Sequence, residues 1–206
     1  MPGYHQGREP ANKGKKYPAE ILTPGEVLSL LDQISTTSSI GLRNRALLTV
    51  LYRAGLRHSE ALGLFVKDVD LVAGTIAVLH GKGDRSRLVG IDPGACQVIG
   101  AWIERRHRLG FGASVTLLCT MRGTAMKTSY LKALLPKLAR QAGIAKRVHP
   151  HGLRHTHAYE LMMEGVEMPI IQKQLGHVSL ATTAIYLNHI APKQVIETMR
   201  KRDWTP

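Results

Sequence analysis

The chain is poor in cysteine, in acidic side chains and, at its start, in apolar residues, and each shortage excludes something. Only Cys96 and Cys119 occur in 206 residues. Neither has metal-ligand or redox spacing, which excludes a disulfide scaffold and makes a reducing cytoplasm the natural setting. The first twenty residues carry Pro, Gly and the cluster Lys13-Gly14-Lys15-Lys16 with no apolar run. They read as a flexible basic arm rather than a signal peptide or a membrane anchor. Fifteen Asp plus Glu stand against 28 Lys plus Arg, a formal net charge of +13. Such an excess favours polyanions through the counterions they release, nucleic acid first among them. A solvated basic surface, as on a ribosomal protein, is the plainer explanation of charge taken alone. No internal repeat or second domain is visible, and 206 residues with 44% hydrophobic content suffice for one substantial core or a core plus a small appendage.

Local signals divide the chain into short helices with one hairpin. Thr23-Pro24-Gly25-Glu26 is a helix start, with Thr23 as N-cap, Pro24 at the first helical position and Glu26 placed to close a capping box. Apolar positions Leu47, Leu48, Val50 and Leu51 predict a helix from Leu42 to Ala54, stopped by Gly55, and a short helix follows from Ser59 to Leu64. Thr75–Leu79 and Arg87–Ile91 are β-like runs around Gly81-Lys82-Gly83-Asp84-Arg85, which predicts a hairpin with Lys82 at its tip. Further helices are predicted over Pro93–Arg108, over Ser129–Gln141 ended by Gly143, over Pro150–Met163 ended by Gly165, and over Pro169–Leu175 with a turn at Gly176. Pro136 inside the second of these predicts a kink or a break. Ser179 is a suitable N-cap for a helix carrying Thr182, Thr183 and Tyr186, and Pro192–Lys201 reads as a last amphipathic helix. The expected fold class is mainly α with a small antiparallel β-hairpin or sheet (α+β).

The chemistry concentrates in the last third. His151-Gly152-Leu153-Arg154-His155 is followed by Leu175-Gly176-His177 and then by Tyr186, and upstream lie Arg57, within Gly55-Leu56-Arg57-His58-Ser59-Glu60, and Lys82. These supply bases, fixed cations and a nucleophile. A phosphodiester needs them together, because attack adds negative charge to the phosphoryl oxygens and expels a poor alkoxide leaving group. His151 and Arg154 stand three apart, so one helical face can present both to one anion. Taken singly, the arginines read as surface ion-pair partners, Lys82 as a solvated turn residue and Tyr186 as a tyrosine at a core margin; their joint order reverses that reading. The histidines His149, His151, His155 and His157 invite a metal, but no Glu follows His151, no Cys lies near, and Arg154 sets a permanent cation beside the site, so no metal is expected. Leu161, Met162, Met163, Met168, Ile170 and Ile171 are expected to be ordinary packing material.

Over Leu22 to Ala191 the chain resembles the tyrosine recombinases, or phage integrases. Arg57 in Gly-Leu-Arg-x-x-Glu resembles the family's first arginine, Lys82 its hairpin lysine, His151 and Arg154 its His-x-x-Arg pair, and His177 in Leu-Gly-His with Tyr186 completes the set. The resemblance implies the recombinase catalytic-domain fold and strand transfer on double-stranded DNA without metal or nucleotide cofactor. Tyr186 would attack the scissile phosphate to form a 3'-phosphotyrosyl link and free a 5'-hydroxyl. Arg57 and Arg154 would hold the nonbridging oxygens, Lys82 would protonate the leaving oxygen, His151 would help take the phenolic proton, His177 would donate to the phosphate and Glu60 would orient Arg57 or its helix rather than touch DNA. It implies integration, excision or inversion of DNA by a homo-tetramer on two sites, with accessory DNA-bending proteins as possible partners and no membrane. A DNA-relaxing enzyme of the type IB topoisomerase kind and a catalytically idle DNA-binding regulator are the alternatives.

The expected organisation is a basic arm over 1–20, a catalytic domain over 21–190 and a tail helix over 191–206 that docks onto a neighbouring protomer or folds back on its own core. Most relatives carry an amino-terminal DNA-clamping domain of about a hundred residues. The chain therefore reads either as a piece of a longer recombinase or as a minimal one, and weak, strongly salt-dependent binding is expected of it alone.

Overall fold

In the computed structural model the described residues are 20–79, 86–176 and 199–202. Thr23 opens α1 (Pro24–Asp32): its Oγ1 accepts from the Glu26 amide at 3.2 Å while Glu26 Oε2 accepts from the Thr23 amide at 2.7 Å, the reciprocal box expected from the sequence. The next helix, α2 (Ser39–Tyr52), starts three residues before the predicted Leu42 because Ser38 Oγ accepts from the Gly41 amide at 3.0 Å and fixes the first turn there. It ends before Gly55, which turns the chain at φ +61° into α3 (His58–Gly63).

A single 3-10 turn (Val66–Asp68) leads into a three-stranded antiparallel sheet of order β1 (Val69–Asp70), β2 (Thr75–Val78), β3 (Arg87–Gly90). The predicted hairpin is β2 and β3, in register Ile76 with Val89 and Val78 with Arg87. The third strand, β1, went unpredicted: two residues carry no alternation, and it exists only by pairing Val69 with Ile76 and Asp70 with Thr75.

Among the described residues the helices α4 (Pro93–Arg108), α5 (Thr128–Gln141), α6 (Pro150–Met163) and α7 (Met168–Leu175) follow. Pro136 does not break α5, which runs through it. A mid-helix proline costs about 3 kcal/mol; burial of Leu131, Leu135, Leu138 and Ala139 on one face of α5 offsets it.

The core centres on α2, whose Ala46, Leu47, Val50 and Leu51 are fully enclosed between α4 (Ile99, Trp102) and α6 (Leu153). Trp102 closes one end, its indole N–H donating to the Leu117 carbonyl at 2.7 Å. A second, smaller cluster of Ala158, Ile171 and Leu175 joins α6 to α7, with Leu161, Met162 and Met168 packed around it. The expected apolar stripe is only partly packing material: Met163 and Ile170 are 44% and 55% exposed, while Ile171 is fully buried. Among the described residues no helix is long and apolar enough to cross a membrane. The basic arm, Lys82, His177, Tyr186 and most of the tail helix lie outside the described residues.

Candidate active site

The site grows from three chain turns that meet at the C-terminal end of α7. At the first, Gly55 leads into Arg57, the N-cap of α3. Glu60, in the first turn of α3, accepts from the Arg57 amide through Oε2 at 2.9 Å and from the Arg57 side-chain Nη1 through Oε1 at 2.7 Å. A carboxylate there also suits the positive end of the helix.

The second turn is the start of α6. His149 caps the helix, its Nδ1 accepting from the Gly152 amide at 3.1 Å. Gly152, Leu153, Arg154, Thr156, His157 and Ala158 are buried, so the Arg154 side chain runs inward. It is 1% exposed, with Nη1 donating to Gly55 O and Nη2 to Leu175 O, both at 2.5 Å. His151, three residues earlier, is exposed and stacks edge-on against His155 with ring centroids 4.4 Å apart. The pair expected on one face therefore sits at two depths: the arginine end is sunk among carbonyls and the imidazole stands at the mouth. Crowding by protein around the His151 ring, then the Arg154, His149 and Arg57 charges, hold its pKa below the ordinary histidine value. A neutral ring able to accept a proton follows.

The third turn is Gly176, left-handed at φ +64°, which ends α7. A Cβ here would lie 2.7 Å from Arg87 Cδ, so the position needs glycine for space as well as for conformation. Helix ends leave carbonyls without intrahelical donors. On α7 three successive ones are taken by arginines: Gln174 O by Arg87 Nε at 3.4 Å, Leu175 O by Arg154 Nη2 at 2.5 Å and Gly176 O by Arg57 Nη2 at 3.2 Å. The Gln174 side chain adds a strand-like pair to β3, accepting from the Gly90 amide at 3.0 Å and donating to Gly90 O at 2.9 Å.

The structure thus brings Arg57, Glu60 and Arg154 together, with His151 above them. Sequence reasoning missed Arg87 and Gln174. Arg87 grips both oxygens of Glu60, Nη1 to Oε1 at 2.9 Å and Nη2 to Oε2 at 2.8 Å. Burial alone would push the Glu60 pKa up, but the Arg87 fork and the Arg57 amide outweigh it and hold the carboxyl at about 2. His157 packs beneath Gly55 and is also used up structurally: burial first, then the Arg53 and Arg154 charges, bring its pKa down to about 4. With His149 committed to capping and His157 enclosed, no group of three or more His, Cys, Asp or Glu among the described residues is arranged to hold a metal ion.

Residues 20–192 match the phage integrase family. The chain belongs to that family. It is 36% identical over 198 residues to tyrosine recombinase XerD of Bifidobacterium longum, covering 91% of this chain and 64% of the relative. It is 37% identical over 194 residues to tyrosine recombinase XerC of Halalkalibacterium halodurans, covering 91% and 63%. The chain thus spans a little under two thirds of the length of these curated relatives. The fold superposes on the crystal structure of XerA recombinase with a TM-score of 0.78 at 30% identity, covering 96% of this chain and 70% of that one. It also superposes on XerH site-specific recombinase bound to palindromic difH substrate in a post-cleavage complex, with a TM-score of 0.74 at 28% identity, covering 90% and 54%. The mainly helical class with a small antiparallel sheet, expected from the sequence, is the one observed.

Proposed function

We propose that this chain is the catalytic part of a site-specific DNA recombinase that cuts and rejoins strands through a 3'-phosphotyrosyl intermediate. The observation that carries the reading is the trio of arginines on the successive carbonyls of Gln174, Leu175 and Gly176 at the end of α7, which sets Arg57 and Arg154 on neighbouring carbonyls. Preorganised guanidinium groups of this kind stabilise charge that develops on a phosphoryl group, since their orientation is settled before the reaction begins. Arg57 and Arg154 take the nonbridging oxygens, and Glu60 orients Arg57. His151, held neutral, accepts the proton of Tyr186, whose ordinary pKa of about 10 leaves little phenolate at neutral pH. Attack by the Tyr186 oxygen on phosphorus forms the phosphotyrosyl bond and breaks the bond to the 5' oxygen, which Lys82 protonates. His177 donates to the phosphate. The reverse attack by a 5'-hydroxyl of a second duplex rejoins the strand.

Double-stranded DNA is the partner, as the net charge of +13 supports. The active assembly is a tetramer on two sites, with the tail docking in trans. Met199, which the tail helix would present on its apolar side, is 55% exposed, an arrangement that suits cover by a neighbour. The setting is the cytoplasm, at the nucleoid. Accessory bending proteins belong to site choice.

The test begins with fragmented DNA from the surroundings of the encoding gene and maps any protein-linked 3' ends. A duplex nicked beside the mapped position should then trap a covalent adduct that Tyr186→Phe abolishes, and two such sites should yield recombinant product. Absence of adduct would leave a binding regulator, whereas adduct with relaxation of supercoils and no recombinant would leave a relaxing enzyme.

A further inference from the structure

We propose that Arg87 is a positioning residue for DNA cleavage: it takes up the Glu60 carboxylate from the far side, so that Arg57 is oriented by Glu60 without being neutralised by it. The inference rests on the reading of the site given above.

The division of hydrogen bonds carries it. The Glu60 side chain is 2% exposed and must have its charge answered. Arg87 answers with a bidentate fork, at 2.9 and 2.8 Å, whereas Arg57 gives Glu60 one side-chain nitrogen, Nη1 at 2.7 Å, together with its backbone amide. Arg57 Nη2 goes to Gly176 O, and its Nε has no hydrogen bond to any described residue. Two guanidinium groups thus share one carboxylate, and the cluster keeps an excess positive charge. That excess lies toward Arg57, whose side chain is 24% exposed, and away from Arg87, at 12%. Had Glu60 only Arg57 for a partner, the bidentate geometry that carboxylates favour would occupy the very edge that a phosphate needs.

Position supports the same role. Arg87 stands in β3, in the strand that follows the Lys82 segment, and its Cδ and Nε lie against Gly176 so closely that no Cβ fits between them. One side chain therefore sets the spacing between β3, α3 and the end of α7. Because the Arg87 fork and the Arg57 amide hold the Glu60 carboxyl at about 2, it is ionised at neutral pH.

The experiment uses the full chain and the nicked duplex mapped above, under single-turnover conditions at saturating protein, and reads the rate of adduct formation separately from the DNA concentration dependence. Arg87→Met is expected to slow adduct formation about 100-fold, the usual cost of a misplaced catalytic group, with half-saturation unchanged. Arg87→Lys, which keeps the charge but not the fork, should fall between Met and parent. In a Glu60→Gln background the further change Arg87→Met should cost little, because the group it acts through is gone. Cleavage by Arg87→Met within twofold of the parent, a fully additive double variant, or losses in both Met and Lys variants that merely track the folded fraction in a melting curve would each overturn the inference. A parent protein that forms no adduct sinks the functional reading itself and takes the inference with it.

Discussion

Two regions of this molecule are held together by different physics. Around α2 the core is apolar and enclosed: Leu47, Val50, Leu51, Ile99 and Trp102 have no exposed surface. At α7 only Ile171 and Leu175 are buried, and Ile170 on the same helix is 55% exposed. Apolar burial on α7 is thus sparse, and polar ties hold its end as well: three arginines on its last carbonyls and Gln174 on the backbone of Gly90. Two of the three guanidinium groups that fix the end of α7, those of Arg57 and Arg154, are the ones assigned to the phosphate. Structure and proposed function therefore depend on one set of charges here, and on separate residues in the core.

That contrast is broken most severely at Arg154. Arg154→Met leaves the carbonyls of Gly55 and Leu175 without donors, each costing about 1–3 kcal/mol, and removes a preorganised cation worth roughly 10²–10³-fold in rate. Denaturant unfolding and single-turnover adduct formation should both fall, the second far more than the folded fraction explains. Trp102→Ala should do the opposite. It costs about 3–5 kcal/mol through cavity formation and loss of the bond to Leu117 O, yet the rate per folded molecule should match the parent. A large rate loss there would mean that core and site are not separable.

Acid sharpens the comparison further. His157, under Gly55, is held at about 4 against an ordinary 6.5. As pH falls, the unfolded chain gains its proton first, near 6.5, so the fold loses stability from there down to about 4, by about 3 kcal/mol in all. Glu60 runs on a different range: its depressed pKa stabilises the fold above the ordinary carboxylate value of 4.5 and is lost only as pH falls through about 2. Denaturant midpoints between about pH 7 and about pH 4.5 should therefore drop in the parent and drop less in His157→Gln. An equal drop in both would assign the acid sensitivity elsewhere.

What was legible in the sequence follows the same division. Boundaries of α4 and α6 came through intact because Pro93 and Pro150 mark first turns, and Gly165, at φ +82°, marks the chain beyond α6. The start of α2 was hidden among Ser35, Thr36, Thr37, Ser38 and Ser39, any of which can cap. Glu60 was legible as the partner of Arg57, since three residues separate an N-cap from the side chain that reaches back to it. Arg87 was not: its bonds to Glu60 span 27 positions and those to α7 span 87, and no local period encodes such pairings. Nor did the spacing of His151 and Arg154 reveal that one would be sunk and the other exposed, because helical phase gives direction but not depth.

Native-state hydrogen exchange, read amide by amide in the parent and in Arg154→Met, tests most directly the claim that charged groups, and not apolar packing alone, hold the end of α7. Amides of Ile171 to Gly176 should open at lower free energy than those of Leu47 to Leu51 in the parent, and the substitution should widen that gap by speeding α7 more than it speeds α2. Exchange from both helices through one shared global opening, shifted equally by the substitution, would contradict the account.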